Sequence, residues 1–244
     1  MNFEKYSLFY FLALISEIIG TVSGFGSSIL FVPLAALFFD FKLVLGITAV
    51  FHVFSNIAKI VLFRQGFDKN IVLKLGTSAV VSVIIGAMLT TLVPLQQTEL
   101  AMNFLLVLLA IYLLFYSDKK LEANDKNLWI GGSLSGFLAG LIGTGGAIRG
   151  LVLTSFGLEK NIFVATSAMI DFGVDFSRAV VYIWNDYFPF DLITMIPFLI
   201  VVSWLGSWIG KKILAYTSQH VFRYVVLGAI ILTTSLQIIK QFLD

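Results

Sequence analysis

Residues 140–153 read GLIGTGGAIRGLVL. Gly143, Thr144, Gly145 and Gly146 interrupt a strongly apolar run, and Arg149 follows within one helical turn. A continuous helix has no use for such a cluster, since each interior glycine weakens it. In hydrocarbon every backbone N–H and C=O must find a partner, so an unwound segment survives only when it is buried in protein or lines a cavity. The stretch therefore predicts a broken helix facing a protein interior. Its surroundings say what kind of interior.

The chain has 244 residues, of which 59% are hydrophobic and 12% charged, with mean hydropathy +0.97. Soluble domains carry about 25% charged residues, so the surplus apolar side chains face lipid. The net charge of +2 says little about partners, and no basic tract interleaved with aromatics suggests nucleic acid. Cysteine is absent and the two histidines stand far apart, so no metal-ligand cluster and no cofactor site is expected. Lys5 followed by YSLFYFLALI has the look of a signal peptide, but SEIIG offers no small-x-small cleavage site. That segment is expected to belong to the mature protein.

Apolar stretches fall near 6–22, 27–39, 43–63, 71–92, 98–116, 128–142, 146–157, 161–184, 190–210 and 221–239. Those at 43–63, 71–92, 98–116, 161–184, 190–210 and 221–239 approach the roughly 20 residues a membrane span requires, whereas 27–39 and 146–157 are too short. A polar linker, SDKKLEANDK at 117–126, separates a first repeat (1–116) from a second (127–244). An offset of 119 positions brings the two into register. Gly24-Phe25-Gly26-Ser27 falls on Gly143-Thr144-Gly145-Gly146, and His52, Asn56 and Lys59 fall on Asp171, Asp175 and Arg178. Polar residues recurring at one offset inside apolar helices point to an internal repeat.

Each repeat reads as a glycine-broken helical hairpin followed by three spans. The fold expected is an all-α polytopic membrane protein of two inverted repeats forming one compact domain. If each broken segment returns to its own side, Arg64, Lys69, Lys74, Lys119, Lys120, Lys126, Lys160, Lys211, Lys212 and Arg223 collect on one side. That side is cytoplasmic by the positive-inside rule. The linker is then internal and both termini lie outside.

His52, Asn56 and Lys59 share one helical face, as do Asp171, Asp175 and Arg178. A charge at the bilayer centre costs roughly 3 kcal/mol or more and is a functional candidate by default. Asp171, Asp175, His52, Arg178 and Glu17 are the candidates for proton coupling or gating. Structural readings stand beside these. Asp175 and Arg178 are placed to neutralise each other, Lys59 and Arg178 to reach towards an interface, Glu17 to lie at one, and Thr48, Thr166 and Ser167 to bond back to their own helix. The substrate-binding candidates are Gly24, Gly26, Ser27, Gly143, Thr144, Gly145, Gly146 and Arg149. Backbone donors at a helix start plus a guanidinium make an anion site. The alternative is a structural pair between Arg149 and Glu17, Asp171 or Asp175. Leu30 stands opposite Arg149 in the first repeat, so the site is expected to be asymmetric. No catalytic residue is expected. Soluble nucleotide motifs fail: Ile148 stands where GxGxxG needs its last glycine, and the P-loop spacing from Gly140 lacks the Lys. The pairs Gly20/Gly24 and Gly206/Gly210 are helix-packing motifs.

GTVSGFGSSILFVPLAAL (20–37) together with GLIGTGGAIRGLVLTSFGLEKNIFVATSAMIDFGVDFSRAVVYI (140–183) resembles the TauE/SafE family of sulfite-exporter-like membrane proteins. The resemblance spans nearly the whole chain. The first motif carries Ser27-Ser28 where members often have further glycines, and the second has no proline to match Pro33. The resemblance implies a secondary transporter in a bacterial plasma membrane, moving sulfite, a sulfonate or a related sulfur anion. The partners expected are that small anion and the lipid bilayer, with no nucleic acid; a homodimer is left open. The alternatives are a membrane-embedded enzyme and a passive anion channel. Single cysteines at Asn2, Asn124 and Leu243, tested with an impermeant thiol reagent on intact cells, check the sidedness. Asn2 and Leu243 should label from outside and Asn124 should not.

Overall fold

The computed structural model describes residues 3–116 and 122–216, and the span expected at 221–239 lies outside them. The described residues are helical with no strand. In chain order the helices are α1 (Phe3–Ser23), α2 (Ser28–Ala35), α3 (Phe41–Leu62), α4 (Lys69–Leu89), α5 (Leu95–Tyr116), α6 (Asp125–Ile142), α7 (Gly146–Thr154), α8 (Lys160–Trp184) and α9 (Ile196–Leu214). Helix α4 passes through a π turn at Val72–Gly76, and Thr77 and Ser78 hydroxyls bond the carbonyls it displaces. A 3₁₀ turn, Phe190–Met195, leads into α9. Among the described residues four segments are long and apolar enough to cross a membrane: Tyr6–Ser23, Phe41–Leu62, Lys69–Leu89 and Phe190–Leu214. The first of these was expected only as part of a broken hairpin. Helix α8 has 25 residues, long enough to cross, but carries Asp171, Asp175 and Arg178 along its buried face.

Both glycine clusters break helices. Helix α1 ends at Gly24 (φ +71°) and α6 ends at Gly143 (φ +82°), positions equivalent under the 119-residue offset. Both adopt the left-handed conformation that closes helices and that side chains with a Cβ resist. The chain then turns back. Phe9 near the start of α1 packs against Phe31, Phe38 and Phe39, and Tyr6 against Phe39. In the second break, a Cβ on Gly131 of α6 would collide with Val152 of α7. Each short helix thus folds back along its long partner.

The scaffold is held by helix pairs that swap between the two halves of the chain. Gly132, Gly136 and Gly140 of α6 each press against a backbone carbonyl of α4, those of Leu75, Ala79 and Val83. The residue difference is 57 at all three, so the helices run parallel in register. No side chain fits between them, and the approach permits Cα–H···O contacts. On the other side Gly206 and Gly210 of α9 pack on Glu17 and Thr21 of α1, again in parallel register. The Gly206/Gly210 motif therefore acts as a packing motif, as expected, and α6 carries a second one that the sequence reading passed over.

Helices α3 and α8 cross the centre antiparallel. At one end Lys42 lies 5.0 Å over the Tyr187 ring. At the other, Asn161 bonds Gln65 at 2.8 Å and Lys211 bonds the Leu62 carbonyl at 2.6 Å. That second end also holds Lys74, paired with Asp125 at 2.6 Å. Gly136→Leu tests the α4–α6 contact, where overpacking should cost about 1–3 kcal/mol or more. Its thermal midpoint in detergent should fall well below that of Leu134→Ala, a change at a half-exposed neighbour.

Candidate functional site

The polar faces of α3 and α8 meet at mid-helix. Asn56 donates to Asp175 Oδ2 at 2.7 Å. These two residues are equivalents under the repeat offset, so the bond joins corresponding points of the two halves. Around it lie three buried ion pairs: Lys59–Glu17 at 2.8 Å, Arg178–Asp175 at 2.7 Å, and Arg149–Asp171. Every cation in the group faces a carboxylate. This follows from solvation, because one partner left alone in a low dielectric costs several kcal/mol.

The pairs differ in build. Glu17 is fully buried, and its Oε1 is approached by Lys59, Ser55 (2.7 Å), Ser207 (2.8 Å) and Thr21 (3.2 Å), while Oε2 takes a bond from Ser27 at 2.6 Å. Arg178 donates through Nη1 to the carbonyls of Ala139 (3.0 Å) and Gly143 (2.7 Å), closing the last turn of α6. It is a clamp on the second break, placed where a cation suits a helix C-terminus. The Tyr182 hydroxyl takes the neighbouring Gly140 carbonyl. His52 lies between the pairs, with Nε2 2.8 Å from Ser27 Oγ and Nδ1 3.3 Å from Arg178 Nη2. Ser27 has one hydrogen and gives it to Glu17. His52 must therefore donate from Nε2 and accept at Nδ1, which assigns the neutral Nε2–H tautomer from the network.

The two breaks meet at this centre. Ser28 Oγ is 3.2 Å from Thr144 Oγ1, the Phe25 carbonyl sits where a Cβ on Gly146 would be, and the Phe25 ring covers Gly150. Arg149 is held through Nε to Ser167 (3.2 Å) and through Nη1 to Asp171. Its Nη2 makes no hydrogen bond among the described residues. It stands 3.5 Å and 3.2 Å from the positions a Cβ would take on Gly26 and Gly146. The cavity between the breaks is lined by Gly26, Ser27, Ser28, Gly143, Gly145 and Gly146 and by the polar side chains above, from His52 to Arg178. Its volume is about 20 Å³, room for a water or two.

Placed against the sequence expectations, Gly24, Gly26, Ser27, Gly143, Thr144, Gly145, Gly146, Arg149, Asp171, Asp175, His52, Arg178 and Glu17 do converge. Gly24 itself stands just off the cavity, under the Phe163 ring. Glu17 is not interfacial but fully buried, because Lys59 and a shell of hydroxyls satisfy it. Lys59 does not reach for an interface, for the same reason. Ser167 and Thr166 find partners other than the carbonyls of their own helix: Ser167 the Arg149 and Asp171 side chains and the Gly24 carbonyl, Thr166 the Asp68 amide. The Thr48 hydroxyl has no partner among the described residues. Sequence reasoning missed Ser55, Ser207 and Thr21. The signal was present in part, since Ser55 lies four residues before Lys59 and Thr21 four after Glu17.

An all-helical bundle with membrane-crossing segments, a buried polar centre and two broken hairpins facing it is the build of a membrane transport protein. The family described as Sulfite exporter TauE/SafE matches residues 9–236, nearly the whole chain. The chain belongs to that family, whose members are transporters of sulfur compounds rather than enzymes. No curated protein and no solved structure matched.

The Glu17–Lys59 pair yields a direct test. Glu17→Gln or Lys59→Met alone leaves one charge buried without its partner, at a cost of about 3–5 kcal/mol. The double variant should recover much of that loss. Thermal midpoints of the singles and the double, measured in potassium buffer, give the coupling.

Proposed function

We propose that this protein is a secondary transporter that moves a small sulfur oxyanion, sulfite or a compact sulfonate, across a bacterial plasma membrane by alternating access, with both termini outside. The observation that carries the reading is Arg149 Nη2. It is the arm of a buried guanidinium that faces the cavity, beside Gly26 and Gly146 at the breaks of both hairpins. The first turns of α2 and α7 begin at the same cavity, so their unbonded N–H groups and positive dipole ends add to the field an anion would meet. A guanidinium with a free edge matches the oxygens of a pyramidal or tetrahedral anion.

The pairing of helices between the two halves supports alternating access in this reading. Helices α1 with α9 and α6 with α4 form two parallel pairs, each joining one half's broken hairpin to the other half's scaffold. Rocking of one unit against the other would expose the central cavity to one side and then to the opposite one. A cavity with room for a water or two does not form a continuous pore, which favours a carrier over a passive channel. Asp171 is the gate in this scheme. It shares Arg149 with the incoming anion and must yield that hydrogen bond, by moving or by taking a proton. Arg178 and Asp175 hold the second break in place through Gly143, and His52 ties that clamp to Ser27 in the first.

Sulfite binding to purified Arg149 variants tests the reading. Arg149→Lys keeps the charge but loses the fork, and Arg149→Gln leaves backbone donors alone. Affinity should fall in that order, by about ten- to hundredfold for a lost charge-assisted bond worth roughly 1.5–3 kcal/mol. The double variant Arg149→Gln/Asp171→Asn, which strands no charge, should fold and still bind weakly. Parent-like affinity in both single variants would reduce Arg149 to a structural partner of Asp171.

A further inference from the structure

The surroundings of Glu17 are not explained by its ion pair. Four hydroxyls from three helices and one break converge on a single carboxylate: Thr21 from α1, Ser27 from the break, Ser55 from α3 and Ser207 from α9. Oε1 alone has Thr21, Ser55, Ser207 and Lys59 within 3.2 Å. A carboxylate oxygen has about two lone-pair sites, so these donors exceed what it can accept. Each hydroxyl oxygen keeps lone pairs of its own, and Ser55 already uses one to accept from Lys59 Nζ at 2.8 Å. An oxygen shell of one negative charge and several neutral ligands suits a hard monovalent cation. Lys59 supplies one, in the form of an ammonium on a flexible stem.

We propose that Glu17, Thr21, Ser27, Ser55 and Ser207 form a binding site for Na⁺, whose Glu17–Ser55 edge the Lys59 ammonium holds in this structure and vacates when an anion enters the cavity. Lys59 also lines that cavity, so its ammonium has two places to go. An anion beside Arg149 draws it one way and Glu17 draws it the other. Once it leaves, Glu17 is a buried carboxylate with no counter-charge, a state costly enough to demand a replacement cation. A proton would need one acceptor and would leave the hydroxyl shell without a purpose. A divalent ion would meet too little negative charge, since among the described residues one carboxylate faces the site, and beyond Lys59 the next titratable group, His52, reaches it through the Ser27 hydroxyl. The anion and Na⁺ are then coupled through one lysine, and each tightens the binding of the other.

This inference rests on the anion reading for its coupling, but the cation site can be tested without any anion. Lys59→Met removes the resident ammonium while keeping the stem. In that variant NaCl should raise the thermal midpoint saturably over KCl at equal concentration, and Glu17→Gln/Lys59→Met should show no such difference. A folded Lys59→Met chain that responds equally to Na⁺ and K⁺ overturns the proposal. Should Lys59→Met not fold, the parent decides. Na⁺ in place of K⁺ should tighten its sulfite binding several-fold, and Ser207→Ala should lose most of that gain. An equal sulfite affinity in Na⁺ and K⁺ overturns the proposal. Sodium binding by Lys59→Met with no oxyanion binding by the parent supports the cation site and overturns only the anion reading.

Discussion

Charge neutrality in the middle of an apolar bundle is the constraint on which the rest depends. Lys59, Arg149 and Arg178 stand against Glu17, Asp171 and Asp175. Remove any one and an uncompensated charge remains in a low dielectric. The balance explains why the polar residues sit together, since each needs the others more than it needs water. It also explains the close packing around them. Glycine faces on α6 and α9 bring α4 and α1 near enough to exclude water from the network's flanks. The polar centre and the small-residue seams are two parts of one solution.

Much of this was legible in the residues themselves. The glycine cluster at 143–146 announced a break, and the 119-residue offset found its partner at 24–27. The same offset marked α3 and α8 as the helices carrying polar faces, because charged and amide side chains inside an apolar run stand out. What could not be read was the pairing. Arg149 had three acidic candidates, and only the crossing of α7 with α8 selects Asp171. Glu17 was ambiguous because its partner, Lys59, is 42 positions away with no local spacing to join them. Serines carry the weakest signal of all. Ser55 and Ser207 look like any small residue in a membrane helix until a carboxylate is found beside them. The Gly132/Gly136/Gly140 stripe had a readable four-residue spacing. It was overshadowed by the denser cluster that follows it.

Positions that correspond under the 119-residue offset differ in equipment. Where the first half has Glu17, the second has Gly136, pressed on a carbonyl of α4. Where the second has Arg149, the first has Leu30, buried in the apolar core. Lys59 corresponds to Arg178, but the lysine reaches a carboxylate and a serine while the arginine clamps helix-end carbonyls. A lysine holds its partners through a compact charge on a flexible stem, whereas a guanidinium binds several acceptors in a fixed plane. In the proposed scheme the first half therefore carries the movable cation and the second the fixed ones. Positions that correspond under the 119-residue offset thus carry unlike side chains, which is the basis for proposing a cation site in one half and an anion site in the other.

That division bears on how the closed centre could open. Arg178 holds Gly143 and Ala139, and through His52 it also holds Ser27 of the other break. The tautomer that satisfies this chain exists only while Glu17 accepts from Ser27 and Arg178 donates to Nδ1. A disturbance at either end changes what the imidazole can donate or accept. If Ser27 turned its hydrogen away from Glu17, it could no longer accept in the same geometry from His52. The contact that steadies the second break would then weaken as well. The state of the Glu17 shell is in this way transmitted to Gly143 across the centre, through three side chains. A relay of this kind, with a second arrangement to switch to, is what coupling the two proposed sites would require.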